Sequence, residues 1–397
     1  MPKGIFFQLV QMNKTLTLCL LTLLTGRTVY AQDTDMPSDA SATKETVNLY
    51  HNLKKISAKG YLFGHQDDLA YGVTWKYEPG RSDVKDVCGD YPALYGWDLS
   101  GLESDNDKDI DGVPFKNMKQ YIRDAYARGG VITFSWHAPS PWGAGKTAWD
   151  TTHGTVASIL PGGENHDLYK EWLDKLAKFL GDLKGSKGEA IPVLLRPFHE
   201  HTGSWFWWGR SECSPDEYKI LWRFTKYYLN TEKKLHNILW VFNTSGDFKT
   251  QDAFLERYPG NDMADVISFD SYQYSDPAKN DWFQKNVDAA LTVMDSVAAE
   301  NNKIEALAET GYEQIPYPTW WTEVLEKAIG SHKIAYTLVW RNHGWNEWLK
   351  PPHMHYYAPY KGQVSAADFI KFYSLDNTLF ERDAAKEKLY DSGPVPR

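Results

Sequence analysis

The sequence predicts an α/β fold, a single (β/α)8 barrel of the TIM type, and three observations lead to it. Eight short apolar runs recur along the chain, amphipathic stretches separate them, and no Pro/Gly/Ser-rich linker interrupts the series after Lys44. Runs that are apolar almost throughout indicate strands buried on both faces, as in a parallel sheet covered by helices. Eight such β/α units in one domain fit a barrel, with a doubly wound sheet as the second choice. Composition alone does not decide, because 397 residues at 42% hydrophobic content suffice for one large core or two ordinary ones.

The elements follow in order. Lys14 precedes an apolar run over 16–24 that ends in Val29-Tyr30-Ala31, so residues 1–31 read as a signal peptide cut near Ala31. The run is too short to span a bilayer, and Cys19 lies inside it, which excludes a lipid-anchored cysteine. Export to the periplasm or the medium is therefore expected, without a membrane anchor. Residues 32–44 are polar and read as a flexible leader, leaving 45–397 as the barrel domain. The predicted strands cover 60–64, 93–97, 131–136, 192–198, 238–242, 266–270, 304–308 and 334–340. Helix-like stretches lie between them, among them 117–128 closed by Gly129-Gly130 and 168–183 closed by Gly185. The ring-rich segment 140–165 reads as a loop insertion at one end of a cleft.

In a barrel the functional groups sit just after the strands. Here those positions hold His65-Gln66-Asp67, Trp97-Asp98, Trp136-His137, His199-Glu200-His201, Asn243-Thr244, Asp270-Ser271-Tyr272, Glu309-Thr310 and Trp340-Arg341-Asn342. Strand alternation predicts that Arg196, Phe198 and Glu200 share the inward face. Strands four and seven lie opposite each other, so Glu200 and Glu309 can face one cleft. Two carboxylates suffice to cleave a glycosidic bond: one protonates the leaving oxygen, and the other attacks the anomeric carbon or activates water. Apolar neighbours such as Phe206 and Trp207 favour the protonated form of one, and Arg196 the ionised form of the other.

The formal net charge of −9 argues against a nucleic-acid partner, which would require a cationic face. A neutral polymer suits it better, and 17 Trp with 24 Tyr supply rings that either serve the core or stack on sugars. Three motif-like strings are rejected. Gly143-Ala144-Gly145-Lys146-Thr147 has Ser140 where a phosphate loop needs its first glycine. Asp107 to Gly112 begins like a calcium loop but has Met118 at the bidentate position. His199, His201, His343, His353 and His355 lack zinc-site helical spacing, so neither a metal nor another cofactor is expected. Cys88 falls at the barrel's bottom and Cys213 at its top, too far apart to bridge, which predicts two free thiols.

Arg196-Pro197-Phe198-His199-Glu200, then Gly203-Ser204-Trp205-Phe206-Trp207-Trp208-Gly209, and Ala308-Glu309-Thr310-Gly311 downstream, resemble glycoside hydrolase family 26, in its β-mannanase branch. The resemblance extends from about Leu62 to Phe380. It implies a retaining enzyme, with Glu200 as acid/base and Glu309 as nucleophile. It also implies sugar contacts at His137, His199, Trp205, Tyr272, Trp340 and Arg341, with Arg196 beneath, and action on internal bonds of mannan, glucomannan or galactomannan; separately from the resemblance, a monomer is expected. Family members usually carry Met or Asn where this chain has His201-Thr202. His201 then either tunes Glu200, meets the sugar, or stands exposed on a loop. Release of mannobiose from chain ends stays open, as does a noncatalytic glycan-binding role, which would keep the rings but lose a carboxylate. A metal-dependent amidohydrolase on the same barrel would instead lose activity in chelator.

Overall fold

The eight apolar runs become eight parallel strands in a computed structural model that describes residues 35–142 and 147–392. They are β1 (Tyr61–Gln66), β2 (Leu94–Asp98), β3 (Val131–Trp136), β4 (Val193–Pro197), β5 (Ile238–Ser245), β6 (Val266–Gln273), β7 (Ile304–Tyr312) and β8 (Tyr336–Val339). Each pairs with the next in chain order, and β8 returns to β1 from Leu62–Tyr336 to His65–Val339, which closes the barrel. Strands β5, β6 and β7 run past their apolar segments because the polar residues at their ends keep pairing, as far as Gln273 with Tyr312.

Period-two alternation divides these strands into two cores. Leu62, Leu94, Val131, Leu194, Leu239, Val266, Ile304 and Tyr336 meet inside the barrel. Phe63, Trp97, Phe134, Leu195, Trp240, Phe269 and Leu307 point outward into the layer under the helices. In phase with the interior set, the upper ends carry Gln66, Asp98, Ser135, Arg196, Asn243 and Asp270, all buried. The interior is thus apolar below and polar above.

The bottom is closed by α1 (Lys44–Ile56), whose Leu49, Tyr50, Leu53 and Ile56 join the interior core. Its Asn48 and Asn52 donate to the carbonyls of Tyr390 and Leu389 at 2.8 and 2.9 Å, which ties the helix to the segment around 389–390. Helix α2 (Phe115–Arg128) stops at Gly129, whose φ of 99° needs glycine and whose N–H returns to Ala125 and Tyr126. The helix expected at 168–183 is α3 (His166–Gly181), closed by Asp182. Gly185 serves instead in a turn, its N–H bonded to the Glu189 carbonyl at 2.9 Å. Helix α4 (Pro215–Tyr227) begins with a capping box of Ser214 and Glu217. Helix α5 (Trp282–Asn301) precedes β7.

The expected signal segment, residues 1–31, and the Gly143–Lys146 string lie outside the described residues. Within the expected flexible leader, Pro37 and Asp39 are buried, Ser38 N–H donates to Asp265 at 2.5 Å, and Asp39 pairs with His236 at 2.8 Å. Among the described residues no helix is long and apolar enough to cross a membrane. Cys88 and Cys213 are both free thiols. Burial pushes the Cys88 thiol up to about 12 and raises that of Cys213.

Candidate active site

Glu200 reaches the cleft by a route that strand alternation does not describe. Strand β4 ends at Pro197, and Phe198 and Glu200 both take left-handed backbone with φ of 51°. Such a conformation costs about 1–3 kcal/mol per non-glycine residue and persists only where the surroundings impose it. Here they do. Phe198, expected on the inward face, is instead locked in the outer core among Trp136, Trp207, Trp208 and Tyr218. Tyr218 donates to the Phe198 carbonyl at 3.1 Å, Trp208 to the His199 carbonyl at 2.7 Å, and Asn243 accepts from Glu200 N–H at 2.9 Å. The Glu200 carboxylate then accepts from the Trp205 indole at 2.8 Å.

Glu309 depends on a bulge. Pairing with β6 runs regularly to Phe269–Leu307 and resumes at Asp270–Glu309, which leaves Ala308 as an extra residue. Plain alternation from Ala306 would send Glu309 outward, and the extra residue turns it in. Arg196 and Tyr272 donate to its two oxygens, the tyrosine at 2.7 Å, which fixes the carboxyl group in the cleft. The other arm of Arg196 reaches Asp270 at 2.9 Å, and Asn243 donates to the second Asp270 oxygen at 2.7 Å. Burial works against the Arg196 charge, but Asp270 and Glu309 outweigh it and raise its pKa.

Carboxylate oxygens of Glu200, Asp270 and Glu309 all lie within 4.8 Å of one another. Among the described residues this is the one group of side chains close enough to hold a metal, and Arg196 already gives two of its members a counter-charge. Burial, followed by the charge of Glu309, pushes the Glu200 carboxyl up to about 7. His137 bonds Asp98 at 2.7 Å; burial lowers its pKa, but Asp98 more than restores it. His199, its ring 4.5 Å from that of His137, is held well below the usual histidine range by burial, His137 and Arg196. The two rings are thus pushed in opposite directions, His199 toward the neutral form and His137 toward the protonated one.

Glu200 and Glu309 line a cleft of about 700 Å³ together with His137, His199, Trp205, Tyr272 and Trp340. The two arginines do not line it. Arg196 lies beneath, and Arg341 is tied to Asp111 at 3.1 Å. The calcium-like segment is folded onto itself, with Asp109 accepting from the N–H groups of Asp111 and Val113. His201 is neither exposed nor near the sugar path: it is fully buried against Tyr218 and Phe242, and burial keeps it neutral. His353 and His355 share one oxygen of Glu313 at 3.0 and 2.8 Å.

Several lining groups escaped the sequence reading. Tyr274, Trp282 and Tyr357 lie beyond the strand ends in loops or at a helix start, where periodicity offers no signal.

A sequence model of glycosyl hydrolase family 26 matches residues 38–361. The chain is 33% identical over 380 residues to a mannan endo-1,4-beta-mannosidase of Bifidobacterium adolescentis, covering 90% of this chain and 36% of that protein. It thus spans about a third of that relative's length. The structure of a family 26 beta-mannanase from Bacteroides ovatus superposes with a TM-score of 0.83 at 43% identity, over 89% of this chain and 99% of that one. A modular endo-beta-1,4-mannanase from Cellulomonas fimi gives 0.78 at 32% identity, over 88% and 78%. With the family model matching across the barrel and both carboxylates on it, the chain belongs to glycosyl hydrolase family 26.

Proposed function

We propose that the chain hydrolyses internal β-1,4-mannosidic bonds of mannan, glucomannan or galactomannan by double displacement with retention. The observation that carries the reading is the approach of Glu200 and Glu309 oxygens to within 4.8 Å. Retaining pairs stand about 5–5.5 Å apart, whereas inverting pairs need about 6.5–9.5 Å to admit a water. Glu309, supported by Arg196 and Tyr272, attacks the anomeric carbon while Glu200 gives its proton to the leaving oxygen. In the second step Glu200 takes a proton from water, which displaces Glu309 and restores both groups. Trp340 offers a face for the flattened sugar ring, and His199 with His137 bonds its hydroxyls.

The test is product stereochemistry by NMR on mannan, glucomannan, xylan and mixed-linked glucan. Retention with mannan cleavage is expected; inversion, or activity confined to xylan or mixed-linked glucan, overturns the reading. Glu309→Ala should abolish turnover, while Glu200→Ala should keep some on aryl substrates with good leaving groups.

One observation favours a second reading, release of mannobiose from chain ends: Trp149, from the loop after β3, stacks on His137 at 5.5 Å and walls that side of the cleft. Early disaccharide without viscosity loss would identify it. The export assignment for residues 1–31, and action as a monomer, belong to the same proposal. N-terminal sequencing of the mature protein and light scattering test them.

A further inference from the structure

We propose that His201 makes the turn that carries the acid/base sensitive to acid: its ring fits behind Glu200 only when uncharged, and gaining a proton drives it out and opens residues 198–203. The inference rests on the acid/base role given above to Glu200.

The turn gives His201 no path to water while Glu200 stays in place. On one side of it Glu200 N–H is bonded to Asn243 at 2.9 Å, and on the other the Thr202 hydroxyl accepts from Ser245 N–H at 3.0 Å. Both partners lie on β5, and the ring between them packs against Phe242 of β5 and Tyr218 of α4, with centres 4.9 and 4.3 Å away. His201 is 0% exposed, and neither of its ring nitrogens has a hydrogen-bond partner in the protein. Tyr218 in turn donates to the Phe198 carbonyl at 3.1 Å. Expelling His201 therefore disturbs the contact that holds the left-handed turn from α4 as well as the two that hold it from β5.

An imidazolium would find no counter-charge at this place. Phe242 and Tyr218 present rings, and the ionic groups that act on His201 are Arg257, its guanidinium 5.6 Å from the centre of the Tyr218 ring, and Arg210. Arg210 is already bonded to Glu256 at 3.1 Å, and Arg257 is bonded to carbonyls and the Cys213 thiol rather than to a carboxylate. Burial first, and then both arginines, hold the His201 pKa well below the usual histidine range. A solvated histidine titrates near about 6.5, so below that pH the open turn binds a proton that the closed turn does not. Down to the depressed value, each unit of falling pH raises the open-to-closed ratio by about tenfold, and above about 6.5 the ratio no longer depends on this group. His199, buried in the same turn and held neutral beside His137 and Arg196, adds its own proton to the response. Glu200 is protonated below about 7, so its own titration does not lower activity in acid.

The experiment is amide hydrogen exchange of the whole protein between pH 7.5 and pH 5, read by mass spectrometry on peptides covering residues 198–210 and corrected for the intrinsic rate. Wild type is compared with His201→Met and His201→Asn, neither of which can take up the proton. By pH 5 protection of this segment should have fallen about 30-fold further in wild type than in either variant. The ratio of kcat at pH 5 to kcat at pH 7.5 on mannopentaose should also be higher in both variants. Equal pH dependence of exchange in all three proteins overturns the proposal, as does a steeper wild-type response that leaves the kcat ratios identical. Should neither variant fold, ring NMR of ¹⁵N-histidine-labelled wild type decides: His201 should stay neutral down to pH 5 while exchange accelerates, and a ring that titrates near about 6.5 within the closed turn overturns the proposal. Exchange needs no substrate, so a wild-type protein inert on mannan overturns the mannanase reading, whereas flat exchange in an active enzyme overturns this inference alone.

Discussion

Glu200 holds its proton up to about pH 7 because burial and the Glu309 charge both oppose ionisation. The acid form is the one that donates to a leaving oxygen, so kcat/KM should fall as pH rises through about 7, and a profile flat to pH 9 would contradict the assignment. The same shift has a stability consequence. An unfolded glutamate titrates near about 4.3, so the folded state binds the extra proton between that value and about 7. Below the unfolded value both states are protonated and nothing is lost; above about 7 the full penalty of the buried charge is present. Glu200→Gln removes that titration. It should unfold at a higher temperature than wild type at pH 8, with the gap closing as pH falls toward 4, and calorimetry across that range checks it. Both glutamates were legible in the sequence because each follows an apolar run and a barrel puts chemistry there. Their supports were less so. Asp98 and Asp270 gain meaning only from the partners that closure brings to them, His137 from β3 and Arg196 from β4.

At the scale of the element, two departures from regular strand geometry aim the pair. The bulge at Ala308 is invisible to a reading by alternation, since Ala306, Leu307 and Ala308 are all apolar and none marks an extra residue. The left-handed turn at Phe198 and Glu200 is likewise hidden, because neither residue type announces it. The segment that follows, from Trp205 to Cys213, has a distinct brace. Arg257, 1% exposed and without a carboxylate partner among the described residues, donates to the carbonyls of Trp208, Arg210 and Cys213. Arg257→Met would fill much of the space but leave those carbonyls unpaired, at about 1–3 kcal/mol for each one kept from water. Its expected result is a lower unfolding temperature together with a raised KM, because the same segment carries Trp205. A variant as stable as wild type with unchanged KM would show that the brace is dispensable.

For the whole molecule, the interior divides into a lower apolar part, which pays for the polar one above. The lower part was readable from composition of the runs, but its floor was not, because nothing local in the stretch before β1 says where it packs: α1 plugs the barrel with Leu53 fully buried among interior residues of several strands. Truncating Leu53 to alanine removes contacts at the end opposite the carboxylates, and large-to-small changes of this kind cost about 2–5 kcal/mol. In a barrel, catalysis belongs to the C-terminal face and the other face serves stability. Leu53→Ala should therefore lower the midpoint of chemical denaturation while leaving kcat at 25 °C within about twofold of wild type, a span under 0.5 kcal/mol in barrier. The opposite outcome, an intact midpoint with a large loss of kcat, would mean that the floor is coupled to the rim through the packed interior and that the two faces do not act independently.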